Sequence, residues 1–180
     1  MLSVIKEMKG LMKGLSSMQT QSLVLQTDAI NNDGIFDSRY TCDIDNSSPE
    51  LRWDNVPEGT VGFALTAEDL DARQNHLAQW VIYNIPAHIH HLPAGIPPQE
   101  SLPNGILQGI NGLNKLGYAG PCPPFGDQVH RYLFRLYALK HLPKVGRRLT
   151  RDELLNVIRT EIIATAEVMG RYQRAIQKAG

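Results

Sequence analysis

The chain has 180 residues, 42% hydrophobic and 20% charged, proportions that fit a soluble globular protein of one domain and exclude a disordered one. Lys and Arg number 18, and so do Asp and Glu, so no cationic surplus exists to displace counterions from nucleic-acid phosphates. No stretch approaches the ~18 uninterrupted apolar residues of a transmembrane helix, and two cysteines exclude a disulfide-dense secreted scaffold.

The first 18 residues carry Val4, Met8, Leu11 and Leu15 at helical spacing, with Lys6, Lys9 and Lys13 on other faces. This pattern predicts an amphipathic arm over residues 1–20, packed on the body or on a second subunit in a homodimer. The charges also interrupt any apolar core of a secretory signal. A cytoplasmic protein with free thiols at Cys42 and Cys122 is the expectation, and pairing of the two is the alternative.

From residue 21 onward the chain reads as one β domain to residue 180. Leu23 and Leu25 alternate with polar neighbours, as do Val61, Phe63, Leu65 and Ala67. Trp80–Tyr83 and Leu133–Leu139 are apolar runs that predict strands buried on both faces. Between them, Leu92 to Gly126 is rich in Gly, Pro and Asn. A coil of that length inside a domain usually walls a functional site. Thr150 and Glu153 form a capping box, followed by Leu154, Leu155, Ile158, Ile162 and Ala166 at helical spacing. A helix is therefore expected over about 151–167, with Gly170 at or just beyond its end. Strands first and a helix late predict a mainly β sandwich with peripheral helices.

Three segments could carry chemistry. Asp69 and Asp71 follow a strand and are two residues apart, so in an extended chain they share a face, and such carboxylates repel unless a cation or proton intervenes. Tyr118-Ala119-Gly120-Pro121-Cys122-Pro123-Pro124 is stiffened by prolines, which suits ligand binding because little entropy is lost. His130 and Tyr132 open a strong strand and supply an acid–base or cationic group and a phenol. Each segment also has a bland reading: a solvated acidic turn, a rigid crossover, a structural histidine.

In this order and spacing the segments resemble the phosphatidylethanolamine-binding protein family. Asp69-Leu70-Asp71-Ala72-Arg73 stands where the family has Asp-Pro-Asp-Ala-Pro. Tyr118 to Tyr132 matches its Tyr-x-Gly…Pro-Pro…His-Arg-Tyr block. Tyr40-Thr41-Cys42-Asp43, Ser48-Pro49-Glu50-Leu51-Arg52-Trp53 and Ala166 to Tyr172 resemble the bacterial and archaeal Raf-kinase-inhibitor-like branch. The resemblance covers about Ser22 to Arg174 and leaves out the arm.

The resemblance implies a Greek-key β-sandwich with a small surface pocket for phosphate or a phosphoethanolamine-like headgroup, and regulation through protein partners such as kinases or proteases. It carries the pocket onto Asp69, Asp71, Gly120, Pro123, Pro124, His130 and Tyr132, with Tyr118 and Cys122 at the rim. It implies no cofactor and no metal. Two departures reshape the pocket. Leu70 and Arg73 replace the motif prolines, so the Ala72–Arg73 bond, cis in the family, is expected trans here. Gln79 stands where the family has a histidine and cannot carry charge, and Arg73 could supply a permanent cation instead.

Two other readings compete. A protein-interaction module with a degenerate pocket would also fit, and so would a hydrolase using His130 with Asp71, or Cys122 as a thiolate. His88, His90 and His91 are close together, but no nearby cysteine or well-placed carboxylate completes a zinc set, so a solvated loop is expected there.

Overall fold

The computed structural model describes residues 22–73 and 77–174. In chain order the elements are β1 (Val24–Thr27), β2 (Leu51–Asp54), β3 (Gly62–Asp69), β4 (Leu77–Pro86), β5 (His91–Leu92), β6 (Leu107–Gln108), β7 (His130–Leu139), α1 (Arg151–Ile158) and β8 (Ile162–Tyr172). The predicted arm over residues 1–20 lies outside the described residues, and with it the dimer contact assigned to it.

The strands form two antiparallel sheets. One has the order β1-β2-β5 and the other β6-β4-β3-β7-β8. In the larger sheet β3, β4 and β6 lie side by side, and β7 then returns by a long connection to flank β3. This is the Greek-key arrangement. The returning connection is the Gly- and Pro-rich coil, and it delivers the Tyr118–Pro124 loop beside the start of β7.

Side-chain alternation explains why the sheets face each other. Phe63, Leu65 and Ala67 of β3, Trp80 and Ile82 of β4, and Phe134 and Leu136 of β7 pack against Leu25, Leu51 and Trp53 of the smaller sheet. Each fully buried side chain of this size contributes roughly 1.5–3 kcal/mol relative to an exposed one. Ala64, Val81, Tyr83 and Tyr137 point to the opposite face, which Leu154 and Ile158 of α1 cover. β4 and β7 are thus buried on both sides, as their apolar runs predict. β3 is as well, although Thr66 and Glu68 on its outer face read as polar. Burial there is accommodated by pairing: Glu68 Oε2 lies 2.8 Å from Arg151 Nη2, and Thr66 Oγ1 donates to Glu68 Oε1 at 3.0 Å.

The late helix is shorter than its spacing predicts. The Thr150–Glu153 capping box is present, but α1 stops at Ile158, and Ile162 and Ala166 belong to β8. A four-residue spacing suits a strand's period of two as well as a helix's 3.6, so those two positions do not discriminate. The β-branched residues Ile162, Ile163, Thr165 and Val168 favour the strand, and pairing with β7 from Leu139 to His130 fixes it. Gly170 therefore lies within β8, opposite Tyr132. A Cβ there would come within 2.7 Å of Ile30 and 3.0 Å of Phe36, so the glycine admits those side chains against the sheet.

Candidate functional site

Register brings the first site residues together. Asp69 ends β3 directly opposite Tyr132 on β7, and His130 lies two residues before Tyr132 on the same face. The His130 and Tyr132 rings are 6.4 Å apart and nearly parallel. His130 Nδ1 lies 2.9 Å from Asp69 Oδ2 and 3.1 Å from Oδ1, and both side chains are buried. This contact fixes the ring orientation and leaves Nε2 toward Asp127. Tyr132 Oη is buried, close to the Asp69 carboxylate and to the Cys122 backbone. Burial, and next the neighbouring Asp69 carboxylate, push the phenol pKa up, so it stays a neutral donor.

Asp71 plays a different part from Asp69. Its backbone N–H donates to Asp69 Oδ1 at 2.9 Å. Its carboxylate accepts from Arg131 N–H at 2.8 Å, Nε at 2.9 Å and Nη2 at 2.8 Å. These bonds, led by the guanidinium, hold its pKa down at about 2. The two carboxylates thus avoid repulsion by taking separate cationic or donor partners. Asp71 clamps the loop after β3 onto β7 and is not a free acceptor for an ammonium group.

The Tyr118–Pro124 loop is fastened from three sides. Gly120 N–H donates to Asn46 Oδ1 at 2.7 Å, and Tyr118 Oη donates to Tyr40 O at 2.8 Å. Gln79 accepts Ala119 N–H on its backbone carbonyl at 2.8 Å. With its amide nitrogen facing the loop, the buried Gln79 side chain donates to Ala119 O and, at 3.2 Å, to Gly120 O. The donor retained at this position therefore serves the loop backbone. The Tyr118 ring stacks edge-on against Trp80 at 5.7 Å, and burial raises its pKa.

Cys42 and Cys122 form a disulfide, with Cα atoms 5.4 Å apart; neither is the free thiol that the sequence suggested. The loops meet first through backbone, Cys42 N–H donating to Pro121 O at 3.2 Å, and this close approach brings the cysteines within bonding range. A separation of 80 residues concealed the pairing. A thiolate at Cys122 is accordingly not available as a nucleophile. Pro123 is buried and Pro124 exposed; Pro124 O accepts Asp127 N–H at 3.2 Å and starts the turn into β7.

Arg73 is highly exposed and joined to the site by its contact with Asp127, 3.6 Å from Nη2 to Oδ2. The Ala72–Arg73 bond is trans, as expected. The neighbouring space between Gln79, Pro121 and Tyr132 has no room for a water molecule. Cavities of about 410, 470 and 490 Å³ lie elsewhere, the first behind Tyr118 and Ala119. Of the histidine cluster, His91 Nε2 lies 3.2 Å from Glu50 and the His90 ring faces Phe63.

Several participants escaped sequence reading. Asn46, in a turn at positive φ, takes the Gly120 N–H, and Asp127 sits beside His130. Asp43 pairs with Arg174 at 2.7 Å and accepts from Tyr172 Oη at 2.7 Å. The Gly126-Asp127 turn was the one available signal, three residues before His130; nothing in the spacing links Asn46 to Gly120.

A Greek-key sandwich with a histidine and a tyrosine at one strand start, backed by an acidic turn and a proline-stiffened loop, matches a known family. The model of that family, described as phosphatidylethanolamine-binding protein, covers residues 26–173, and the chain belongs to it. Within the family it falls in the bacterial and archaeal UPF0098 branch. A UPF0098 protein of Methanothermobacter thermautotrophicus is 41% identical over 150 residues, 83% of this chain and 98% of that one. The crystal structure of Escherichia coli YbcL superposes with a TM-score of 0.78 at 31% identity, covering 85% of this chain and 99% of YbcL. The homologue CT736 of Chlamydia trachomatis gives 0.75 at 30% identity, over 85% and 98%. Among the described residues no helix is long and apolar enough to cross a membrane.

Proposed function

We propose that the chain binds a small phosphate-like anion, free or as a phosphoethanolamine-like headgroup, at the His130–Tyr132 site. The observation that carries this reading is the buried Tyr132 hydroxyl on the same strand face as His130. It stands beside a histidine whose inner nitrogen is committed to Asp69, so an anion touching both would gain two oriented donors. Arg73 would add charge at the mouth. Regulation of protein partners such as kinases or proteases is the part of the reading that rests on family analogy.

The test is a calorimetric and NMR titration with phosphate and phosphoethanolamine. Saturable binding with shifts at His130, Tyr132 and the Gly120–Pro124 loop is expected, weakened about tenfold or more by Tyr132→Phe. No saturable binding would instead favour the second reading, an interaction module with a closed pocket. That reading is supported by the spending of the Gln79 amide on loop carbonyls. A cytoplasmic location loses the support it drew from free thiols, because a disulfide persists best in an oxidising compartment.

A further inference from the structure

Asp127 stands on the side of His130 where an incoming anion would arrive. Its Oδ2 lies 3.6 Å from His130 Nε2 and 3.6 Å from Arg73 Nη2. Both separations exceed the ~3.2 Å limit of a good N–H···O bond. The carboxylate is therefore held at that oxygen by two long contacts, to His130 and to Arg73. The rest of the residue is anchored. Oδ1 accepts from Gln128 N–H at 3.0 Å, the backbone N–H donates to Pro124 O at 3.2 Å, and the backbone carbonyl accepts from Gln173 Nε2 at 2.8 Å. A fixed turn thus presents one loosely bound carboxylate oxygen to the outward nitrogen of His130, while Asp69 occupies the inward one.

We infer that Asp127 determines the specificity of this site: it is a resident carboxylate that an anion must displace, and it favours ligands carrying a cation next to their phosphate. The inference rests on the anion-site reading above. A phosphate oxygen at hydrogen-bond distance from Nε2 would lie within a few ångströms of Oδ2, and like charges so close repel strongly where solvent is partly excluded. Arg73 cannot cancel the repulsion alone, since its side chain is 80% exposed and its field is screened. An ammonium group on the ligand can pair with the displaced carboxylate, whereas inorganic phosphate brings no such partner. Asp71 is already clamped by Arg131, so among the described residues of this site Asp127 is the carboxylate beside His130 Nε2.

Calorimetry on the full chain with inorganic phosphate and with phosphoethanolamine, for the wild type and Asp127→Asn, tests this. Asparagine keeps the Oδ1 acceptor for Gln128 N–H, and Asp127→Ser serves if thermal unfolding shows the first variant to be unfolded. The wild type should bind phosphoethanolamine at least tenfold more tightly than phosphate. The variant should bind phosphate about tenfold more tightly than the wild type and lose the preference. Unchanged or weakened phosphate binding in the variant would overturn the inference and leave the anion site standing. Silence of both proteins toward both ligands would remove the site itself, and the inference with it.

Discussion

His130 Nδ1 and Asp69 Oδ2 lie 2.9 Å apart, with only 4% and 5% of their side chains exposed. One carboxylate thus sets which edge of the imidazole meets the ligand. Asp69→Asn keeps the volume but offers an amide that can turn its NH₂ toward the ring. Anion affinity should fall about 10- to 100-fold, by analogy with the loss of a carboxylate that orients a ligating histidine. Nitrogen-detected NMR of His130 should show a changed tautomer. An unaltered tautomer and affinity would show that the pair does not orient the site.

The Asp71–Arg131 clamp gives a pH signature. The Asp71 pKa is held down from 3.8 to about 2, so the unfolded chain takes up this proton before the folded one does. The stabilisation is present above about pH 4 and is lost as pH falls through about 2. Arg131 is half exposed, so screening by solvent reduces the effect. Denaturation midpoints for wild type and Asp71→Asn should converge between pH 4 and 2. A constant gap across that range would contradict the assignment.

Joining Cys42 to Cys122 closes a loop of 80 residues in sequence. The chain-entropy model gives about 4.5 kcal/mol for such a closure. Urea unfolding with and without a thiol reductant should show a large shift in midpoint. Alkylation under native conditions should add no mass before reduction and two adducts after it. Two adducts on the unreduced protein would show free thiols.

Gly120 is where the loop presses against the Tyr40–Cys42 turn. A Cβ added there would lie 2.3 Å from Tyr40 O and 2.9 Å from Asn46 Oδ1, and backbone cannot yield cheaply. Gly120→Ala should destabilise the protein by more than about 2 kcal/mol, in the range of overpacking substitutions. Gly146→Ala, with nothing within 4 Å of its added Cβ, is the control and should leave the melting temperature within a degree or two.

The sequence by itself determined the large sheet. The Trp80–Tyr83 and Leu133–Leu139 runs are apolar on both faces, and an apolar run bounded by turn residues is stable only where both faces are covered. It also determined the start of α1, because the capping box is a local device between Thr150 and Glu153. It placed Asp69, His130 and Tyr132 at strand ends, from which the register aligns them. Three features were decided only by tertiary structure, because each depends on which distant segment comes near. Ile162 and Ala166 became strand because β7 offered an unpaired edge, and their spacing suits either period. Cys42 and Cys122 became a disulfide because Pro121 bonds to the Cys42 backbone across 80 residues of chain. Asp71 went to Arg131 and Asp127 to His130 because the turn into β7 folds back over the end of β3. Charge pairing of that kind is a matter of ångströms in space, which linear spacing does not encode.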